Sequence, residues 1–110
     1  GDLMETGDTS DMAVPTNRQS LLSALHDLKL EWQERGLLAM GVFGSFARGA
    51  ETDGSDLDVY VRTETPNPYL LVHLKEDIEA RVHRKVDIVR LRDRMNPYLR
   101  SRIEREGIDV

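Results

Sequence analysis

From residue 18 onward the hydrophobic positions recur at helical spacing, then as a solid block, then in strict alternation. Leu21, Leu25, Leu28 and Trp32, joined by Leu22, fall three or four residues apart and predict an amphipathic helix. Thr16 and Gln19 fit a capping box at its start, and Gly36 is placed to end it in a left-handed cap. Residues 37–43 are a nearly continuous apolar run of strand length, which predicts a buried strand. Gly44-Ser45 breaks that run, and residues 46–54 read as a short turn or helix followed by a loop. Residues 56–61 alternate: Asp56, Asp58 and Tyr60 face one side, and Leu57, Val59 and Val61 the other. Asn67-Pro68 and Asn96-Pro97 each combine an N-cap residue with proline at the first helical position, so each predicts a helix start. Leu71, Leu74, Ile78 and Val82 supply the stripe of the first of these helices; Leu99 and Ile103 that of the second, which Gly107 ends. Between them residues 86–91 form a third strand, with Val86 and Ile88 on one face and Asp87 and Val89 on the other. The order predicts an α/β fold with a small mixed sheet of three or four strands and helices packed on it.

Asn-Pro-Tyr-Leu occurs at 67–70 and again at 96–99, but the flanking residues differ, so it reads as one helix-start chemistry used twice. Residues 1–15 lack apolar periodicity and are expected to be a disordered acidic tail or a foreign remnant, with the domain at 16–110. Of the net charge of −5, −4 falls on the first eleven residues, leaving −1 for the rest. A near-neutral body is a poor footprint for direct DNA binding. Cysteine is absent, which excludes disulfides, thiolate metal sites and thiol catalysis. No apolar run spans a bilayer, the N-terminal residues do not resemble a signal peptide, and a cytoplasmic setting is expected. Trp32, Met40 and Met95 read as core; His26, His73 and His83 read as surface or boundary positions.

The unusual feature is strand sequence interrupted by acids. Asp56 and Asp58 lie two residues apart on one strand face, about 6.5–7 Å by strand rise. Asp87 stands within Val86-Asp87-Ile88-Val89, where an isolated carboxylate is disfavoured by propensity and desolvation. Taken singly, Asp56 is also explained as a cap for the Gly54-Ser55 turn, and Asp87 as an ion-pair partner of Arg84 or Arg90. Taken together, three acids repel one another unless a cation sits between them, and hard divalent ions take oxygen ligands. Gly44-Ser45, directly after a strand, allows close backbone approach and offers N–H groups and a hydroxyl to phosphate. Gly44 and Gly49 have the glycine spacing of a P-loop, but Ala50-Glu51 replaces its Lys-Ser/Thr, which rejects that motif.

Gly44-Ser45-Phe46-Ala47-Arg48-Gly49, then Ser55-Asp56-Leu57-Asp58-Val59, then Asp87 on a later strand, together resemble the signature of the DNA polymerase β-like nucleotidyltransferases. In size the chain is similar to the minimal, MNT-type members. The resemblance implies that Asp56, Asp58 and Asp87 are catalytic and hold two Mg²⁺ ions. It implies that Gly44 and Ser45 bind the phosphates of ATP. Arg48 either adds a phosphate contact or pairs with Glu51 or Asp53. Tyr60 either stacks on a base or covers the sheet edge. The resemblance also implies a partner: MNT-type proteins pair with helical HEPN toxins and, as antitoxins, transfer AMP from ATP to a toxin tyrosine. Two alternatives stay open: nucleotidylation of a small hydroxylated molecule such as an aminoglycoside, and an idle nucleotide- or partner-binding subunit.

Overall fold

The computed structural model describes residues 18–49, 56–65, 67–92 and 94–110. The expected tail, Thr16 of the capping box and the loop at 50–55 lie outside these residues. The elements are α1 (Arg18–Gln33), β1 (Leu37–Phe43), α2 (Gly44–Ala47), β2 (Leu57–Thr63), α3 (Pro68–Val82), β3 (Val86–Arg90), α4 (Pro97–Glu106) and β4 (Ile108–Asp109). They build one four-stranded sheet in the order β3-β2-β1-β4. β1 runs antiparallel to β2 and β4, whereas β2 and β3 are parallel, joined by the crossover through α3.

Alternation in the strands sorts side chains onto two unequal faces. On one face Leu37, Met40, Val42, Leu57, Val59, Val61 and Val86 meet the apolar stripes of α1 and α3 in the main core. On the other face a smaller cluster forms around Phe43, Tyr60 and Ile103, with Val89, Leu91, Met95 and Leu99 packed against it. The two helices that cover the main face touch each other. Trp32 is buried in α1 and donates its indole N–H to Asp77 Oδ2 of α3 at 2.9 Å, which satisfies the one polar atom of that ring. Gly36 carries φ +105°, as a glycine ending a helix requires.

The reused tetrapeptide does the same work at both sites. Asn67 Oδ1 accepts from the N–H groups of Tyr69 and Leu70, and Asn96 Oδ1 from those of Tyr98 and Leu99. Asn67→Ala is expected to cost about 1 kcal/mol of stability by leaving those donors uncapped. A shift in the midpoint of urea unfolding at constant slope measures it. The buried stripe of α3 starts at Leu70, one residue earlier than the pattern suggests; Leu71 is half-buried beside it. Among the described residues no helix is long and apolar enough to cross a membrane.

Candidate active site

Asp58 and Asp87 meet because the strand register places them side by side. Asp58 on β2 is directly opposite Asp87 on β3 and opposite Phe43, the last residue of β1. Directly paired residues point to the same face of a sheet, and neighbouring strands are about 4.8 Å apart. Asp56 lies two residues before Asp58, just ahead of β2. Asp56 and Asp87 are exposed and Asp58 is half-buried. Burial pushes the Asp58 carboxyl above its ordinary range; the charge of Asp87 and, less strongly, that of Asp56 push the same way. Arg102 and Arg48 pull it down. The three carboxylates therefore share one electrostatic site. Among the described residues no ion pair ties Asp87 to Arg84 or Arg90, and Arg84 Nη1 is buried without a hydrogen-bond partner.

The chain leaves β1 through Gly44, at φ +73°, and turns straight into the single turn of α2. Glycine takes this left-handed backbone without strain. A Cβ at this position would lie 2.2 Å from Asp58 Oδ2, so the backbone of the Gly-Ser turn rests against the central carboxylate. Ser45 is half-buried at the head of the turn.

A clamp that the sequence does not announce fixes the far end of this turn. The Arg18 guanidinium lies 4.8 Å from the centroid of the buried Phe46 ring. It donates to the carbonyl oxygens of Phe46 and Ala47, the latter at 3.0 Å. The Phe46 oxygen also accepts from the Gly49 N–H at 3.0 Å, and the guanidinium adds a positive charge at the carbonyl end of this short helix. The signal available in sequence was only a basic residue at the start of α1, which is not specific.

Arg48 follows the turn and pairs with Glu106 at the end of α4, Nη1 to Oε1, at 3.0 Å. Glu51 and Asp53, the partners the sequence suggests, lie outside the described residues. Tyr60 is buried rather than open to a base. Its ring covers Gly41 and Gly107, where a Cβ would lie 2.2 Å and 3.3 Å from the phenol oxygen. Its hydroxyl donates to the Asp109 carboxylate of β4, and burial together with that carboxylate raises its pKa far above the usual range. Tyr60 therefore covers the sheet. His26, His73 and His83 are exposed.

The donor chemistry fits a divalent cation, since the acidic site offers only carboxylate oxygens and its central member is strained by like charge. Among the described residues, no three carboxylate or imidazole groups are gathered closely enough to hold an ion as they stand.

Known proteins are similar to this chain in sequence and in fold. Residues 32–110 match the family described as Polymerase beta, Nucleotidyltransferase. Protein adenylyltransferase MntA of Thermococcus cleftensis is 37% identical over 73 residues, which cover 64% of this chain and 74% of that protein. A presumptive minimal nucleotidyltransferase of known structure superposes with a TM-score of 0.74 at 30% identity, covering 86% of this chain and 97% of that one. The Shewanella oneidensis complex of tri-AMPylated HEPN toxin with MNT antitoxin contains a similar fold, with a TM-score of 0.65 at 19% identity, covering 84% and 71%. The match takes in the whole sheet and the turn beside its acids, and on that ground the chain belongs to the Polymerase beta nucleotidyltransferase family.

Proposed function

We propose that this protein transfers AMP from ATP to a tyrosine hydroxyl of a HEPN-type partner protein, and thereby acts as the antitoxin of a toxin–antitoxin pair. The observation that carries the reading is the placement of Asp58 between Asp87 and the Gly44 turn, in a chain of this family. Two relatives support the acceptor: one is named a protein adenylyltransferase, and one fold relative is an MNT antitoxin bound to its AMPylated HEPN toxin.

In this reading Asp56, Asp58 and Asp87 would hold two Mg²⁺ ions. When bound, such ions stabilise charge on the attacking and leaving oxygens of an in-line displacement. Asp87, exposed on an edge strand, takes the proton of the attacking hydroxyl. The hydroxyl oxygen bonds to the α-phosphorus of ATP while the bond to the bridging oxygen breaks, so pyrophosphate leaves. Gly44 and Ser45 offer N–H groups and a hydroxyl to the phosphates. Arg48, beside them, adds a positive charge.

Incubation with ATP, Mg²⁺ and the protein encoded next to this one tests the reading. Mass spectrometry of the partner is expected to show gains of whole AMP units on a tyrosine, absent with Asp58→Asn. A partner that is bound and inhibited but unmodified would show that silencing is by occlusion and overturn the mechanism. Labelling of an aminoglycoside without any partner would reassign the acceptor. Ser45→Ala is expected to weaken ATP binding by about 1–3 kcal/mol, the size of a hydrogen bond to a charged group. Calorimetric titration checks this, and an unchanged affinity with lowered stability returns Ser45 to a turn role.

A further inference from the structure

The arginines of α4 are not equivalent. Arg100 Nε is 3.3 Å from Glu104 one turn on, and Arg105 Nε donates at 3.3 Å to the Ser101 carbonyl of its own helix. Arg102 instead leaves the helix toward the sheet. Its guanidinium lies 5.8 Å from the centroid of the Phe43 ring, and its Nη2 is 3.5 Å from Glu106 Oε1. Phe43 is the residue immediately before Gly44 and the cross-strand partner of Asp58. Arg102 therefore stands over the strand end that carries both the Gly-Ser turn and the central acid.

Glu106 gathers a second cation to the same place. One oxygen, Oε1, takes Arg48 at 3.0 Å and Arg102 at 3.5 Å, and the Glu106 side chain is only 20% exposed. Arg48 comes from the end of the Gly-Ser turn and Arg102 from α4, so the carboxylate binds together two elements far apart in sequence. One shared oxygen engages neither guanidinium in a bidentate fork, which is the geometry these groups favour with phosphate. Both cations act on the Asp58 carboxyl. A cluster of two arginines on one carboxylate beside three acids supplies positive charge where the phosphates of a nucleotide meet the turn.

We propose that Arg102 binds the pyrophosphate portion of ATP, and that Glu106 is the positioning residue that aims Arg102 and Arg48 at it. The assignment rests on the nucleotidyl-transfer reading and adds to it a residue outside the signature motifs. Arg102 is thus a discriminator between ATP and AMP.

The test is equilibrium binding of ATP and of AMP, each with Mg²⁺, to the full chain. Wild type is compared with Arg102→Ala, Arg102→Gln and Glu106→Gln, and with Arg81→Ala, a surface ion-pair variant on α3, as control. Arg102→Ala is expected to lose about 10-fold or more in ATP affinity, as for loss of a charge-assisted contact, and little in AMP affinity. Arg102→Gln keeps the first two methylenes and a polar end while removing the charge, so it decides by the same criterion if the alanine variant does not fold. Glu106→Gln is expected to weaken ATP several-fold in wild type and less in the Arg102→Ala background, because it acts through the arginines. Unchanged ATP affinity in a folded Arg102 variant overturns the proposal and leaves Arg102 as a counter-charge for the acids. Equal losses for ATP and AMP also overturn it, since they move Arg102 away from the pyrophosphate. A wild-type protein that binds no ATP defeats the nucleotidyl-transfer reading itself, whereas the other two outcomes leave that reading standing.

Discussion

Asp58→Asn is expected to abolish AMP transfer and, in metal-free buffer, to melt at a higher temperature than the parent. The loss of activity should be at least about 10²-fold, because removing even an outer partner of a metal ligand costs 10–100-fold. The gain in stability follows from the sign of the Asp58 shift. Its folded carboxyl titrates above the ordinary value of 3.8 because of burial first and the charge of Asp87 second. The folded chain therefore disfavours the ionised form. That penalty is absent below the unfolded value, grows as pH rises through the folded value, and is complete at neutral pH. An amide removes it, so the stability difference should be present at pH 7 and vanish in acid. Mg²⁺ should stabilise the parent by binding the native state and do so far less for the variant. Thermal melts with and without Mg²⁺, at two pH values, read all of this. Full transfer activity in Asp58→Asn would remove the acid from the mechanism.

Gly44→Ala is expected to damage the site from the backbone side. An L-residue at φ +73° costs about 1–2 kcal/mol by itself. The added Cβ also meets Asp58 Oδ2 at 2.2 Å, so either the turn or the carboxylate must move. Relief by displacing Asp58 breaks the alignment of the acids, and relief by displacing the turn misplaces Ser45. Total destabilisation of roughly 2–4 kcal/mol, with a larger loss of transfer than Ser45→Ala produces, is the expected result. Denaturant unfolding and partner labelling measure the two parts. A variant with parental stability and activity would mean that the turn adapts freely and that its contact with Asp58 is incidental.

Much of this arrangement is legible in the chain because it is written in local patterns. The acids stand out because aspartate interrupts strand sequence at Asp58 and Asp87, and both helix starts are spelled by Asn-Pro. The faces of β2 and β3 follow from alternation alone. What the chain does not disclose is of longer range or shorter extent. β4 has two residues, too few for any period to show. The Arg48–Glu106 pair joins positions 58 residues apart and depends on where α4 lands. Arg18 reaches across 28 residues to Phe46. Leu70 and Leu71 are both apolar, so only packing against the sheet decides which one of them faces inward. Tyr60 alternates correctly with the acids, yet Gly41, Gly107 and Asp109 draw it into a covered position.

The two faces of the sheet also differ in how they hold. Among the described residues, sixteen buried ones form the main cluster, against three on the side of α4. β4 adds only two paired positions, Ile108 with Val42 and Asp109 with Gly41. The phenol–carboxylate contact of Tyr60 with Asp109 fastens this thin layer at its end. Sub-global opening follows such differences in local burial, so among the described elements α4 and β4 are expected to open before β2, β3 and the helices of the main face. Asp58 and Asp87 stay on β2 and β3 throughout that opening, while Arg102 and Glu106 leave with the helix. Arg102 and the acids would thus sit on parts of unequal lifetime, and the fraction of time the layer is closed sets how often a ligand meets Arg102 on arrival.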